Sequence, residues 1–275
     1  MAKPVVKWVG GKTKLLPEIK KRIPGSYGKY IEPFFGGGAL YFDIQPENAV
    51  IGDINPQLVW TYRNIKESPD KVMNALDILQ HSFNSLPGQN EKQKFYEKQR
   101  EAFNCAIQNG DTSPDEAALF IFLNKTCFNG VYRVNRKGLF NVPFAKKTSV
   151  SLYDRDNLLK VHKALPDSII CGSFESTILQ ADPKKGDFVF IDSPYVDTYA
   201  GYGKDRFSME DHIKLRDLFA EMADMGVYCM ATNSCCDEVK DLYRGFIIEE
   251  ASVSHSVNRD GNGRKAKEVI IRNYT

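Results

Sequence analysis

The sequence predicts an α/β protein in which a mainly parallel sheet of seven strands, the last one antiparallel, carries a long and mostly helical insert. Short apolar runs rich in Val, Ile and Phe alternate with segments of helical periodicity. Roughly a hundred residues separate the second run from the third, far more than a connection between strands needs. The last two runs are joined by a Gly- and Arg-rich loop without helix signals, which is typical of an antiparallel hairpin at a sheet edge.

The seven apolar runs have the length of strands. They span residues 30–35, 49–52, 168–171, 188–191, 227–231, 246–251 and 268–272. Helical patterns follow the second, fourth and fifth runs, at 55–65, 208–224 and 235–243. Because a strand, a helix and a second strand join through a right-handed crossover, this alternation predicts parallel neighbours.

The long insert is helical at first and then changes character. Helical periodicity covers 70–86, 91–107 and 114–126, whereas 128–144 alternates aromatic, basic and Gly residues as a hairpin does. We therefore predict one discontinuous domain, of residues 1–66 and 168–275, with an inserted subdomain of residues 67–167.

Length and composition are those of an ordinary globular protein. Of the 275 residues, 42% are hydrophobic and 26% are charged, which excludes extensive disorder. The net charge of +2 does not indicate nucleic-acid binding by itself, so a DNA-facing surface must come from local clusters of Lys and Arg. We expect a cytoplasmic protein, because no signal peptide and no apolar run of transmembrane length is present.

The cysteines and histidines lack the spacing of metal ligands. The six cysteines include no Cys-x-x-Cys pair, and several lie in apolar runs where a thiol behaves as a small hydrophobe. The four histidines are scattered along the chain. We therefore expect free thiols and a reaction that uses no metal.

Two short segments at predicted strand ends carry the candidate chemistry. The first run ends in Glu32-Pro33-Phe34-Phe35-Gly36-Gly37-Gly38, and Asp192-Ser193-Pro194-Tyr195 follows the fourth. Open α/β sheets bind their ligands at the carboxyl ends of the strands. Together the two segments indicate a nucleotide-like cofactor beside a planar amine.

The first segment and the end of the second strand favour cofactor binding. Glycines at 36–38 allow backbone N–H groups to approach a ligand closely. Asp53 closes the second run, where an acidic side chain can bind two ribose hydroxyls. The structural alternatives are a plain turn for the glycines and a helix cap before Asn55 for Asp53.

A second glycine turn, Gly10-Gly11-Lys12, precedes a helix that we predict to run from this turn to about Arg22. The chain has no Gly-x-x-x-x-Gly-Lys-Ser/Thr motif, which disfavours a P-loop NTPase. The carboxylate of a methionine-like ligand suits the amino end of such a helix equally well.

The Asp192–Tyr195 segment has the groups that an amine-modifying site needs. An exocyclic aromatic amine is a poor nucleophile because its lone pair is delocalised into the ring. Acceptors on its N–H bonds counter this, and the Asp192 carboxylate and the Ser193 carbonyl can supply them. Tyr195 can stack on the face of a base that has been swung out of a duplex. A strand-end turn with a surface Asp is the alternative.

Six motifs follow one another along nearly the whole chain: Lys7-Trp8-x-Gly10-Gly11-Lys12, Glu32-Pro33-Phe34-x-Gly36-x-Gly38, Asp53-x-Asn55, Asn129-Gly130-x-x-Arg133, Phe140-Asn141-Val142-Pro143-Phe144 and Asp192-x-Pro194-Tyr195. In combination and order, they resemble the Dam-type DNA adenine-N6 methyltransferases of the alpha group.

The resemblance implies a Rossmann-like sheet, S-adenosyl-L-methionine as methyl donor, and GATC in duplex DNA as the target, with the adenine flipped into the site. It makes residues 67–167 a target-recognition insert. It implies catalytic roles for Asp192, Ser193, Pro194 and Tyr195, and a cofactor site lined by Trp8, Gly10, Gly11, Lys12, Glu32, Pro33, Phe34, Gly36, Gly38, Asp53, Phe174 and Asp192.

By the same resemblance, a further set of residues binds DNA: Lys7, Phe128, Asn129, Arg133, Asn135, Pro143, Arg259 and Arg264. Phe128 matches the aromatic residue that enters the base stack, Arg133 matches the reader of a guanine, and Lys7 touches a base at the other side of the site. A bidentate Arg–guanine contact is worth about 1–3 kcal/mol of discrimination.

These DNA-binding residues have structural alternatives. Phe128 fits a core position, and Arg133 with Arg136 and Lys137 fits a solvated hairpin face. We expect the basic loop 258–267 to hold phosphates rather than read bases, since phosphates need only flexible positive charge; plain surface charge is the alternative.

One residue departs from the family pattern: Ser193 stands where the family has proline. Proline stiffens the loop, so serine lowers its order, although Pro194 still biases Ser193 toward extended backbone. A DNA-binding relative with weakened catalysis is therefore the alternative to an active enzyme, and an RNA or protein amine is a weaker alternative substrate. We expect a monomer near the nucleoid, and a cognate restriction endonuclease is a candidate partner.

Overall fold

The computed structural model describes residues 1–196, 207–252 and 267–275. The strands are β1 (Tyr30–Glu32), β2 (Ala49–Asp53), β3 (Ser168–Cys171), β4 (Phe188–Ile191), β5 (Tyr228–Ser234), β6 (Ile247–Ser252) and β7 (Lys267–Arg272). The helices are α1 (Leu16–Lys20), α2 (Ala39–Ile44), α3 (Pro56–Glu67), α4 (Pro69–Asn84), α5 (Gln89–Asn109), α6 (Pro114–Thr126), α7 (Arg155–Ala164), α8 (Phe174–Ala181), α9 (Met209–Asp224) and α10 (Asp237–Leu242), with one 3-10 turn at Phe128–Gly130.

The strands form one sheet in the order β3-β2-β1-β4-β5-β7-β6. Strand β1 is parallel to β2 and β4, and β4 is parallel to β5. Strand β7 is antiparallel to both β5 and β6. The predicted α/β fold is confirmed, including the antiparallel hairpin at the edge and the last strand as the reversed one.

Local sequence explains where the strands begin and end. All four residues of β4 are buried, as expected for a parallel strand that is covered on both faces. Strand β1 ends at Glu32, earlier than predicted, because Pro33 has no N–H group to donate to a neighbouring strand. Ser208 caps α9 in a reciprocal capping box with Asp211.

The chain divides into two compact units. The first unit comprises Met1–Gly11, Gly36–Gln45 and Asn55–Cys171, and the second comprises Lys12–Phe35, Pro46–Ile54 and Gly172–Thr275. In the first unit, α6 is the central helix, and it packs on α3, α4 and α5. Its apolar run is buried almost all round, which explains why its predicted bounds, 114–126, match the structure.

One predicted helix is wrong. The helix predicted to run from the glycine turn to Arg22 is only the five-residue α1, and its first residues form separate turns on the Lys12 carbonyl. Pro17 lies at the start of this helix and has no N–H group to bond to a preceding turn.

The predicted 128–144 hairpin has no regular strand, only isolated antiparallel bridges of Cys127 with Phe144 and of Val134 with Phe140. None of the helices in the described ranges is both long enough and apolar enough to cross a membrane.

Candidate active site and recognition segment

In the second unit, the ends of β4 and β5 bring a catalytic candidate and a hydroxyl together. The pairing of Ile191 with Ala231 places the next residues, Asp192 and Thr232, side by side. The Thr232 hydroxyl donates to Asp192 Oδ1 at 2.7 Å. Thr232 was missed by sequence reasoning; it lies inside β5, two residues before the strand ends at Ser234.

Lys12 forms an ion pair with Asp192. The distance from Lys12 Nζ to Asp192 Oδ1 is 2.7 Å, and the two side chains are 8% and 17% exposed. The same ammonium lies 4.5 Å from the centre of the Tyr195 ring. Burial raises the pKa of Asp192 above its ordinary value, and the Lys12 charge and the Thr232 hydrogen bond oppose that rise.

Both described donors to Asp192 meet the same carboxylate oxygen, Oδ1. Within the described residues, Oδ2 has no hydrogen-bond partner. One carboxylate oxygen, Oδ1, is therefore held by two donors of the protein.

Tyr195 is fixed by β7. Its hydroxyl donates to Glu268 Oε2 at 2.6 Å, and the next residue's N–H, that of Val196, donates to Asn233 Oδ1 at 3.2 Å. Burial raises the pKa of Tyr195, with the charges of Asp192 and Glu268 adding to the rise, so the phenol stays neutral. Glu268 and Asn233 are further residues that the sequence did not point to.

Glu32 is buried in the same unit, and Tyr30 donates to its Oε2 at 2.9 Å. Burial raises the pKa of Glu32 well above its ordinary value, and the charges of Asp192 and Asp53 raise it further against the Tyr30 hydrogen bond. Asp53, the last residue of β2, is buried as well. Such a group of carboxylates favours a ligand that carries positive charge and hydroxyl donors.

An aromatic cluster stands in the same unit. Phe34 stacks on Phe174 with ring centres 5.5 Å apart and an interplanar angle of 21°. Phe207 contacts both rings, and His212 meets Phe207 edge-on at 4.6 Å. Phe174 is the first residue of α8 and is buried. The cluster provides flat apolar surface of the kind on which an adenine ring packs.

In the first unit, the glycine turn contacts Trp8. Gly36 has a φ of +50°, and a Cβ there would lie 2.7 Å from Trp8 Cδ1. Trp8 in turn stacks on Tyr132 at 5.9 Å. Gly36 is therefore needed both for its left-handed backbone and for the close approach of the indole.

Phe128 is 56% exposed, so the core alternative is wrong. Its backbone N–H donates to the Pro143 carbonyl at 2.9 Å, and Asn129 next to it adopts a left-handed φ of +57°. A large apolar ring is thus presented to solvent on a tightly bonded turn. Pro143 is exposed too, and it contributes that carbonyl.

The predicted base reader Arg133 is exposed and lies on Asn141. Its Nε donates to Asn141 Oδ1 at 2.8 Å and its terminal nitrogen donates to the Asn141 carbonyl at 3.2 Å. Asn135 Oδ1 accepts from the N–H groups of Lys137 and Leu139 and so closes the turn that follows. The solvated-face alternative for Arg133 stays open.

The remaining predicted residues are placed as follows. Lys7 is exposed, and its backbone is bonded to Asn124, which sequence reasoning also missed. Arg259 and Arg264 lie outside the described residues; Lys267, at the end of that loop, pairs with Glu250. Within the described part of the chain, no group of three or more His, Cys, Asp or Glu residues has the arrangement of a metal site.

Comparisons with known proteins identify the family of this chain. Residues 8–256 match the family of D12 class N6 adenine-specific DNA methyltransferases. The chain is 37% identical over 290 residues to the Type II methyltransferase M.MjaIII of Methanocaldococcus jannaschii, covering 99% of both chains.

Other relatives are similarly complete. Identity to the Type II methyltransferase M1.LlaDCHI of Lactococcus lactis subsp. cremoris is 32% over 281 residues, covering 99% of this chain and 95% of that one. A DNA adenine methylase of Vibrio cholerae is 25% identical over 276 residues, covering 98% and 95%. The chain therefore belongs to the D12 class of N6 adenine-specific DNA methyltransferases and is an adenine-specific DNA methyltransferase.

Proposed function

We propose that this enzyme transfers a methyl group from S-adenosyl-L-methionine to N6 of the adenine in duplex GATC, after flipping that adenine into a site built on Asp192 and Tyr195. The observation that carries the proposal is that Lys12 and Thr232 both bind the same carboxylate oxygen of Asp192, Oδ1. The other oxygen, Oδ2, is the atom that we propose accepts a hydrogen bond from the amine.

Each residue around Asp192 in the second unit then has a separate proposed role. Asp192 accepts a hydrogen bond from the adenine amine through Oδ2, and the Ser193 carbonyl accepts the second one, which increases the electron density on the nitrogen. Lys12 favours the ionised form of Asp192 against its burial. The Tyr195 ring stacks on the base and is held by Glu268. Pro194 keeps Ser193 in extended backbone so that its carbonyl is aimed.

The carboxylates and aromatic rings of this unit fit S-adenosyl-L-methionine. That ligand carries a sulfonium and an ammonium, which suit the buried Glu32, and ribose hydroxyls, which suit Asp53. Phe34 and Phe174 offer surface for its adenine ring. When bound, it supplies the electrophilic methyl group. We keep Trp8 and the glycines at 10, 11, 36 and 38 as proposed cofactor residues on the resemblance alone.

For the first unit, we propose the DNA-reading role. The exposed Phe128 supports insertion into the base stack, where an apolar ring occupies the space of the flipped adenine. Arg133, whose guanidinium donates two hydrogen bonds to Asn141, reads a guanine edge, and Lys7 contacts a base on the other side. The resemblance of 129–133 to the Dam-type motif supports GATC. Residues 67–167 are accordingly proposed as the target-recognition insert.

The test uses two duplexes that differ only in sequence order, one with GATC and one scrambled. Each is incubated with the protein and S-adenosyl-L-methionine, and N6-methyladenine is measured by mass spectrometry. We expect methylation of the GATC duplex alone, and none by Asp192→Ala although that variant keeps its fold by circular dichroism. Methylation of both duplexes, or of neither, would refute GATC as the target, and substantial transfer by Asp192→Ala would refute the role of Asp192.

Two relatives are named Type II methyltransferases, so we keep a cognate restriction endonuclease as a proposed partner. Protection of GATC-methylated DNA against an endonuclease from the same source would test this.

A further inference from the structure

Asn124, near the carboxyl end of α6, holds two separate segments of the first unit with a single side-chain amide. Its Oδ1 accepts the Lys7 backbone N–H at 2.8 Å, and its Nδ2 donates to the Lys7 carbonyl and to the Gly130 carbonyl, both at 2.9 Å. Asn124 is only 4% exposed. Because the oxygen faces an N–H group and the nitrogen faces two carbonyls, the orientation of the amide is defined by its partners.

Close packing supports the same junction. Gly130 has a φ of +66°, and a Cβ there would lie 2.7 Å from Lys7 Cδ and 3.1 Å from the Asn124 carbonyl oxygen. The Lys7 side chain therefore passes directly over the turn that presents Phe128. Glycine suits this point, since any other residue would have to adopt the left-handed backbone and displace the Lys7 side chain.

The Lys7 segment depends on this anchor because it has no regular secondary structure of its own. No ladder of strand or helix hydrogen bonds defines where the Lys7 backbone lies. The two bonds of Asn124 to the Lys7 N–H and carbonyl do so, and its third bond, to the Gly130 carbonyl, is buried, where an unpaired donor or acceptor is costly. The position of the Lys7 ammonium is thus set relative to the 128–130 turn.

We propose that Asn124 is a positioning residue that couples the two base-contacting segments, Lys7 and the turn leading to Arg133, so that both ends of the target are read in one register. The inference rests on the proposed function, because it takes Lys7 and Arg133 as base contacts. In the described residues the Asn124 amide bonds only backbone atoms, so it acts on DNA through its neighbours.

The test is Asn124→Ala in the full-length enzyme, with Asn64→Ala as the matched control. Asn64 is also buried in the first unit, and its Nδ2 also donates to two backbone carbonyls, those of Trp60 and Thr112. Each variant is assayed for kcat and KM on the GATC duplex and on duplexes with one base replaced, together with its unfolding temperature and its calorimetric affinity for S-adenosyl-L-methionine.

We expect both variants to lose similar stability, and only Asn124→Ala to lose discrimination, by about tenfold at the base read by Lys7. The loss falls on KM for DNA, while the affinity for the methyl donor stays unchanged. A purely structural role would lower the unfolding temperature without changing discrimination, and that result, or equal relaxation in both variants, would overturn the inference.

A Lys7→Ala variant distinguishes a failure of the inference from a failure of the proposed function. If Lys7→Ala relaxes discrimination, Asn124→Ala added to it must cause no further loss at that base, and a further full loss would contradict coupling through Lys7. If Lys7→Ala changes nothing, the base-reading role of Lys7 is wrong and the inference fails with it. Should Asn124→Ala not fold, Gly130→Ala disturbs the junction from the other side, and unchanged discrimination there would overturn the proposal.

Discussion

Replacing Lys12 by Met removes the ammonium that faces Asp192 and keeps most of the side-chain volume. The two groups meet at 2.7 Å with 8% and 17% of their side chains exposed. Breaking a buried ion pair from one side costs about 3–5 kcal/mol, and the lower value applies here because Asp192 keeps the Thr232 hydrogen bond and some solvent. We therefore expect Lys12→Met to lose about 3 kcal/mol of stability where Asp192 is ionised, and the pKa of Asp192 to rise further without the Lys12 charge.

The direction of each expected change follows from the ionisation state of Asp192. Burial already raises the pKa of Asp192, and without Lys12 it rises further. In the proposed function the ionised carboxylate accepts a hydrogen bond from the target amine, so the acid limb of the kcat profile should move to higher pH. The parent and the variant differ in stability only where Asp192 is ionised in the folded parent, so the loss should be small at low pH and grow as the pH rises through the raised pKa of Asp192.

Two assays check this: methylation of the GATC duplex at saturating S-adenosyl-L-methionine from pH 5 to 9, and urea unfolding over the same range. Lys94→Met is the control, because Lys94 is an exposed lysine of α5; the stability of that variant should change by less than about 0.5 kcal/mol. An acid limb that stays in place in Lys12→Met, with stability within that same margin, would refute the role assigned to the ion pair.

Three further changes have defined outcomes. Arg133→Ala should lower discrimination at one guanine by about 10- to 100-fold with unchanged affinity for the methyl donor, measured on single-base variants of the duplex; equal losses on all duplexes would make Arg133 a phosphate contact. Ser193→Pro should keep or raise the rate, because the Ser193 N–H donates no hydrogen bond in the described residues, and a strong decrease in single-turnover rate would contradict this. Glu116 is buried in the first turn of α6, and burial, with the charge of Asp111, raises its pKa to about 8. Its ionisation therefore destabilises the fold as the pH rises from about 4.5 to 8, so Glu116→Gln should gain stability over the parent by up to about 1.4 kcal/mol per pH unit across that range; equal stability of the two proteins at pH 8 would argue against it.

The parts that sequence predicted well are those encoded by local patterns. Apolar runs such as 188–191 and 114–126 announce a buried strand and a buried helix, and their bounds match the structure because burial on all sides leaves little alternative. The motifs at strand ends could be placed for a different reason: a parallel sheet brings the carboxyl ends of its strands to one edge. Where the pattern was weak, as at 12–22 and 128–144, a proline and short isolated bridges decided the outcome.

The sequence by itself determined the fold class, the family and the identity of Asp192 and Tyr195 as candidates. Only the tertiary structure decided how they are held: Lys12 and Thr232 on one oxygen of Asp192, Glu268 on Tyr195, and Asn124 joining Lys7 to the recognition turn. These partners lie far apart in the chain, 117 positions for Lys7 and Asn124 and 73 for Tyr195 and Glu268. A hydrogen bond or ion pair depends on distance in space, which local periodicity does not encode, so such contacts appear only once the sheet and helices are packed.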